Sequence, residues 1–388
     1  MLDNKIINFI QTLLIRCENS KVSLGKLSKQ EKKYLVNYVL FSKIEHIFLE
    51  KIGKEESRKE LGYRNFQKIE NSRSKRIIKT LENIRFMKLI DNSLKNKGIE
   101  YIFLKGVNGY RHNIFSFTDR GIIDIDIFIK KGDLKESLKV FESLGFDTYA
   151  WKNFNSNTDK IFKNPTIKHQ ASTSIIDIHT NIINPRFSTD MLENKSHYCS
   201  EVYSGEFCSV EYYFIHCFYH GTVKSIFNEG PIFIFDLLNF LEIEKLDWKK
   251  IHDSIKKLGL QNIFYDVFAC IKTFYQLPMN LEAILLEDSL FDEKDMKLIL
   301  FSAPLLSNIS IDMTNSNESI FTRVLRKFYD PENYMLYSSH KINSEYYLKY
   351  LLKLIRLNFT RLSSPLNNKT INGIRKKYKR KYIDNVSL

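Results

Sequence analysis

Two acidic residues interrupt the apolar run Ile122-Ile-Asp-Ile-Asp-Ile-Phe-Ile129, and their spacing suits them to chemistry. Side chains on a strand alternate between faces, so Asp124 and Asp126 are expected on one face while Ile123, Ile125, Ile127 and Ile129 fill the other. Their Cα atoms then lie about 6.5–7 Å apart. That separation lets two carboxylates converge on a hard cation such as Mg2+, which favours oxygen ligands and keeps some of its water. Burying such a pair without a cation is costly, whereas an edge strand would leave both acids in solvent. A third carboxylate comes from Ser174-Ile-Ile-Asp-Ile-His179, where Asp177 and His179 share a face of another predicted strand.

These side chains need a scaffold, and the period of the apolar residues supplies one. Ile99-Glu-Tyr-Ile-Phe-Leu104 reads as a short strand, Lys105-Gly106 follows, and Val107 to Ile114 can form a helix. A strand, a glycine and a helix start in that order can cradle phosphate, because a residue without Cβ lets backbone N–H groups approach an anion. After the acidic strand, Lys130 to Asp133 reads as a turn. Asp133 and Glu136 have capping-box spacing for a helix carrying Leu134, Leu138, Phe141 and Leu144, which stops at Gly145. Phe146 to Trp151 looks extended.

Helical spacing dominates on both sides of this core. Ile6, Ile7, Ile10, Leu13 and Leu14 form one apolar stripe, and Ile77, Leu81, Ile84, Met87, Ile90 and Leu94 form another that Gly98 ends. Arg64, Lys68, Arg73, Lys75, Arg76 and Lys79 give the latter helix a basic face, solvated or laid along a phosphate backbone. From Pro185 onward the pattern is mostly helical, including Trp248 to Leu277 and Tyr346 to Leu362 before Ser363-Ser-Pro365. His216 and His220 fall one turn apart, the spacing of paired metal ligands. Cys217 stands where H-E-x-x-H has Glu and no third ligand is evident, so packing and hydrogen-bonding roles are expected. Arg375 to Tyr382 has six basic residues in eight, a tail that suits an anionic partner or solvent.

Composition narrows the class. The 388 residues are 43% hydrophobic and 27% charged, enough for two or three cores, and only 14 Gly and 7 Pro argue against a turn-rich all-β fold. A formal charge of +14 points to a polyanionic partner. Cys17, Cys199, Cys208, Cys217 and Cys270 make an odd set without a C-x-x-C pair, which indicates neither a disulfide framework nor a zinc ribbon and fits a cytoplasmic setting. The N-terminus lacks signal-peptide features, and Ile232 to Leu241, the most apolar run, is broken by Asp236 and Asn239, so a spanning helix is not expected.

In chain order, Ile102-Phe-Leu-Lys-Gly106, Arg120 before Asp124-Ile-Asp126, Lys139-Val-Phe-Glu-Ser-Leu-Gly145-Phe146 and Ile176-Asp-Ile-His179 resemble the uncharacterised nucleotidyltransferase family of the polymerase-β-like superfamily. The likeness continues through His216, His220 and Asp236 and spans roughly residues 60–280. More distantly the chain is similar to AbiEii-type nucleotidyltransferase toxins. The resemblance implies an α+β fold: a small mixed-sheet nucleotidyltransferase core over residues 98–184, an N-terminal helical region over 1–97, and a C-terminal helical domain with a basic tail over 185–388.

It also implies transfer of a nucleoside monophosphate from ATP or another NTP to an acceptor hydroxyl, using one or two Mg2+ ions and releasing pyrophosphate. Asp124, Asp126 and Asp177 would be the catalytic and metal-binding acids. Lys105, Gly106, Arg120 and His179 would bind the nucleotide. Val107 departs from the superfamily, which usually has Gly or Ser there, so phosphate neutralisation falls to Lys105 and Arg120. The acceptor stays open among RNA, which the charge favours, a sugar or other small molecule, and a protein; oligomeric state is equally open. The alternative is an inactive nucleotidyltransferase fold that binds nucleotide or a partner without turnover.

Overall fold

The structure is a computed structural model that describes residues 2–14, 23–152, 165–225, 227, 229–285, 292–301, 373–375 and 377–379. Apolar residues at helical spacing build its N-terminal helices. Ile6, Ile10, Leu13 and Leu14 are buried in α1 (Leu2–Leu14). Ser28 opens α2 (Lys29–Ser42) with a complete capping box: its hydroxyl accepts from the Glu31 N–H and the Glu31 carboxylate accepts from the Ser28 N–H. Two short helices follow, α3 (Glu45–Ile52) and α4 (Lys54–Leu61), and then α5 (Tyr63–Asn96), which is 34 residues long. As expected it stops at Gly98, whose φ of +65° few other residues adopt easily. Ile84, Met87, Ile90 and Leu94 of α5 are buried, but Leu81 faces solvent, so the apolar stripe is shorter than its spacing suggests.

The sheet has seven strands in the order β3-β4-β5-β2-β1-β7-β6. They are β1 (Tyr101–Phe103), β2 (Ile125–Ile129), β3 (Phe146–Asp147), β4 (Thr166–His169), β5 (Ile175–His179), β6 (Lys195–Cys199) and β7 (Ser204–Cys208). β2 runs antiparallel to β1 and parallel to β5, so the sheet is mixed and the fold is α+β. Four helices join the strands: α6 (Gly106–Arg111), α7 (Leu134–Ser143), α8 (Tyr149–Lys152) and α9 (Pro185–Glu193). The isoleucines Ile125, Ile127 and Ile129 of β2 are completely buried, which makes this strand the centre of the core.

Four local expectations fail for identifiable reasons. β2 begins at Ile125 rather than Ile122, because side chains of α5 take the Ile122 backbone groups a neighbouring strand would bind. The Ile122 N–H donates to Thr80 Oγ1 at 2.9 Å and Asn83 donates to the Ile122 carbonyl at 3.0 Å. Asp133 makes no side-chain cap; it lies in helical conformation within the turn Lys131–Asp133, whereas a capping residue must be extended, and Glu136 instead pairs with Lys139 at 2.6 Å. Phe146 to Trp151 is extended for only two residues. Asp147 Oδ1 then accepts from the Tyr149 N–H at 3.0 Å and turns the chain into α8. The hairpin β6-β7 also lies within the stretch expected to be mostly helical.

Beyond it come α10 (Val210–Tyr219), a wider π-type turn at His220–Lys224, α11 (Pro231–Leu241), α12 (Trp248–Lys257), α13 (Gln261–Lys272), α14 (Met279–Glu282) and α15 (Glu293–Leu300). Every residue of α11 is buried. Phe214, Phe218, Phe240, Trp248, Phe264 and Phe268 form an aromatic core, with the Phe214 and Trp248 rings edge-on at 5.2 Å. The basic tail is partly folded into this body: Arg375 is 5% exposed and donates to the Phe227 carbonyl at 3.1 Å, while Tyr378 packs edge-on against Phe227 at 4.6 Å. Burial pulls the Arg375 pKa down to about 10. The helix expected over Tyr346 to Leu362, with Ser363-Ser-Pro365, lies outside the described residues, as does Cys17. Among the described residues, Cys199, Cys208, Cys217 and Cys270 form no disulfide. Among the described residues no helix is long and apolar enough to cross a membrane.

Candidate functional site

Parallel pairing of β2 with β5 sets Asp126 directly beside Asp177. Both carboxylates are almost wholly buried, at 2% and 3% exposure. His179, two residues further along β5, brings its Nε2 to 2.9 Å from Asp126 Oδ1 and 4.0 Å from Asp177 Oδ2. One donor atom from each of Asp126, Asp177 and His179 lies within 4.8 Å of the others, close enough to hold a metal ion. Lys105 Nζ donates to Asp126 Oδ1 at 2.6 Å. Asp126 Oδ2 makes no hydrogen bond among the described residues, which leaves a carboxylate oxygen for a cation to bind. Burial opposes charge on Asp126, but Lys105 and His179 outweigh it and hold the carboxyl far below the usual carboxylate range. Burial likewise works against the Lys105 charge, and the facing carboxylates raise its pKa in spite of it.

Lys105 ends the β1 edge of the site in a backbone conformation of φ 53°, ψ −132°. A side chain there costs about 1–3 kcal/mol, which the hydrogen bond from the Leu104 N–H to the Asp126 carbonyl, at 2.9 Å, helps to hold in place. Gly106 follows because a Cβ would lie 2.9 Å from Arg120 Nη1, so the missing side chain is what admits the guanidinium. Arg120 is not aimed at the Asp126 carboxylate. Its Nε donates to both oxygens of Asp236 on α11, at 2.7 and 3.0 Å. This explains an acid in a helix that is apolar apart from Asp236 and Asn239. Burial opposes charge on both partners: the Asp236 carboxylate raises the Arg120 pKa in spite of it, whereas burial leaves the Asp236 pKa above its ordinary value.

Residues 28–276 match the model of the uncharacterised nucleotidyltransferase family. The chain belongs to that family, and it is a nucleotidyltransferase. No curated protein and no solved structure gives a significant match. The family match begins at the capping serine of α2 and runs past α13, so it takes in α2 to α5 as well as the sheet.

Asp124 of this nucleotidyltransferase precedes β2 and is half-buried, outside the Asp126, Asp177 and His179 group. Its charge acts on three lysines, Lys43, Lys79 and Lys105. Lys79 also donates to the Thr173 carbonyl, just before β5. The remaining basic face of α5 divides: Arg76 makes a two-point contact with Glu45 at 2.7 and 3.0 Å and Arg73 donates to His46 at 3.3 Å, whereas Arg64, Lys68 and Lys75 are exposed.

His216 and His220 face one another on α10 and its π-turn, ring centroids 6.4 Å apart. They join no three-ligand group among the described residues. Burial first, and the Lys105 charge second, push both pKa values well below the ordinary range, so both stay neutral. His216 Nδ1 is buried without a hydrogen-bond partner among the described residues, while His220 Nδ1 lies 3.5 Å from Glu229. Their spacing was visible in the sequence, but their nearness to Lys105 was not.

Proposed function

We propose that this enzyme moves a nucleoside monophosphate from an NTP to an acceptor hydroxyl in a Mg2+-dependent reaction. The acceptor oxygen attacks the α-phosphorus, the bond to the bridging oxygen breaks, and pyrophosphate leaves with the electron pair. The observation that carries the reading is the matched register of Asp126 and Asp177 on adjacent parallel strands, with His179 and Lys105 on the same carboxylate. Asp126 and Asp177 would hold the cation, with Asp124 at the edge of the same site. Bound Mg2+ supplies charge for the phosphates and lowers the pKa of an oxygen it coordinates.

The protein's own groups divide the remaining work. Asp177 accepts the proton of the attacking hydroxyl. His179 fixes the orientation of Asp126. Lys105 leaves Asp126 for a phosphate oxygen when a cation replaces it, and Arg120, fixed by Asp236 over Gly106, adds positive charge beside the start of α6. The charge of +14 and the exposed Arg64, Lys68 and Lys75 of α5 favour RNA as acceptor over a neutral sugar. Lys105 seated on Asp126 also supports a second reading, a nucleotide-binding protein without turnover.

Pyrophosphate release separates the two. Each α-labelled NTP is supplied with Mg2+ and with RNA, protein or small-molecule fractions as acceptor, to wild type and to Asp126→Asn/Asp177→Asn. Label entering RNA, and absent in the double variant, supports the proposal. Nucleotide binding without turnover supports the second reading, and no binding at all removes both.

A further inference from the structure

We infer that Lys43, at the C-terminal end of α2, completes a subsite for the β- and γ-phosphates of the nucleoside triphosphate; this rests on the nucleotidyl-transfer reading. The segment after β1 is short of free groups for that task. Lys105 is on Asp126, Arg120 is on Asp236, and the Asn108 amide donates to the Phe103 carbonyl at 2.6 Å. Gly106, Val107 and Gly109 offer no side-chain donor. Lys105 can exchange Asp126 for one phosphate oxygen, and the remaining charge for the terminal phosphates comes from another element.

A recess that reaches Gly121, three residues before Asp124, provides it. Its lining includes Lys43, Arg73, Arg76, Thr118, Asp119 and Gly121, drawn from α2, α5 and the loop leading to β2. The two arginines are engaged with Glu45 and His46, and Asp119 accepts from His46 at 2.8 Å. Lys43 differs from them: its ammonium makes no hydrogen bond and no ion pair among the described residues. It is solvent-accessible, yet its low-dielectric surroundings lower its pKa, and the charges acting on it are Glu229, Arg76, Asp124 and Arg120. An accessible cation without a partner among the described residues, within electrostatic reach of Asp124, has the chemistry of an anion-binding group.

Two features of the surroundings agree. Lys43 holds a left-handed backbone conformation, φ 59° and ψ 33°, at a helix end where glycine or asparagine is the ordinary choice. Lys105 also has a positive φ, but before a helix start and with ψ −132°. In addition, the charge of Asp124 acts on Lys43, Lys79 and Lys105 alike. The recess is lined by α5 and the Phe117 to Gly121 loop, and the Lys43 ammonium at its rim is unengaged among the described residues.

Glycine at position 43 keeps the left-handed turn and removes the ammonium, so Lys43→Gly tests the idea without endangering the fold. Wild type, Lys43→Gly and the charge control Lys256→Ala, at an exposed position of α12, are titrated by calorimetry with Mg-ATP, Mg-tripolyphosphate and AMP, and melted in parallel. The expected result is a loss of about 10- to 100-fold in affinity for ATP and tripolyphosphate in Lys43→Gly, with AMP affinity, Tm and the control unchanged. Equal affinity of wild type and Lys43→Gly for ATP overturns the Lys43 assignment while nucleotidyl transfer stands. Equal weakening of ATP and AMP overturns it too, since Lys43 then acts on the whole site. Failure of wild type to bind any nucleotide removes the underlying reading and the subsite with it.

Discussion

Lys105 and His179 share one oxygen: Nζ and Nε2 approach Asp126 Oδ1 at 2.6 and 2.9 Å. Two donors on one oxygen fix the carboxylate plane and leave the other oxygen for a cation. Because the ammonium is an internal counter-charge, Asp126 can be buried in the metal-free protein without a large penalty.

Replacing the acids therefore has unequal effects. Asp177→Asn and Asp126→Asn should each lower pyrophosphate release by about 100-fold or more. Asp126→Asn should also cost about 1–3 kcal/mol of stability by stranding Lys105. Mg2+ should raise the wild-type Tm and leave that of the double variant unmoved, as thermal denaturation with and without the ion will show.

Acid should destabilise the protein in two stages. His216 and His220 have native pKa values below their ordinary 6.5, so the unfolded chain binds protons that the native state refuses, and stability falls as pH drops below that value. The depressed Asp126 pKa makes a contribution present above its ordinary 3.8 and lost on further acidification. Melting from about pH 8 to about pH 5 should reveal the first stage, and His216→Phe should flatten it while removing an unpaired buried nitrogen. An unchanged slope in that variant would contradict the assignment.

Arg120 and Asp236 should behave as a unit. Arg120→Met strands a buried carboxylate and should cost about 3–5 kcal/mol, whereas Arg120→Met/Asp236→Leu should recover most of it. Activity should stay low in both, measured beside denaturant midpoints. Recovery of activity with stability would make the pair purely structural.

The basic tail should prove to be an anchor. Tyr378→Ala should destabilise by about 3 kcal/mol because it uncovers Phe227. Lys377→Ala, which breaks an exposed pair with Asp295 at 3.3 Å, should change stability by less than about 1 kcal/mol. Chemical denaturation of the two variants distinguishes anchor from loose tail.

Period-two alternation made β2 and β5 legible, and with them Asp126, Asp177 and His179. The register that joins them was not legible, since alternation is silent about which strand neighbours which. Asp236 stood out as a polar residue in an apolar run, but its partner Arg120 lies 116 positions away. The β6 and β7 segments, Lys-Ser-His-Tyr-Cys and Ser-Gly-Glu-Phe-Cys, carry too few β-branched residues to announce strands. Lys43 gave no signal, because a helix-end lysine becomes notable only when folding sets it in one recess with Arg76 and Gly121. Asp133 and Glu136 had capping-box spacing, yet the preceding turn had already placed Asp133 in helical conformation.

The 34-residue α5 is a rod about 50 Å long. Along it, Arg76 grips Glu45, Thr80 and Asn83 grip Ile122, Lys88 donates to the Glu201 carbonyl at 3.2 Å, and Lys95 reaches Asp91 and Glu206. One beam thus spans the unit from its first helices to the sheet edge. A load placed on the N-terminal helices is delivered to the loop that carries Asp124.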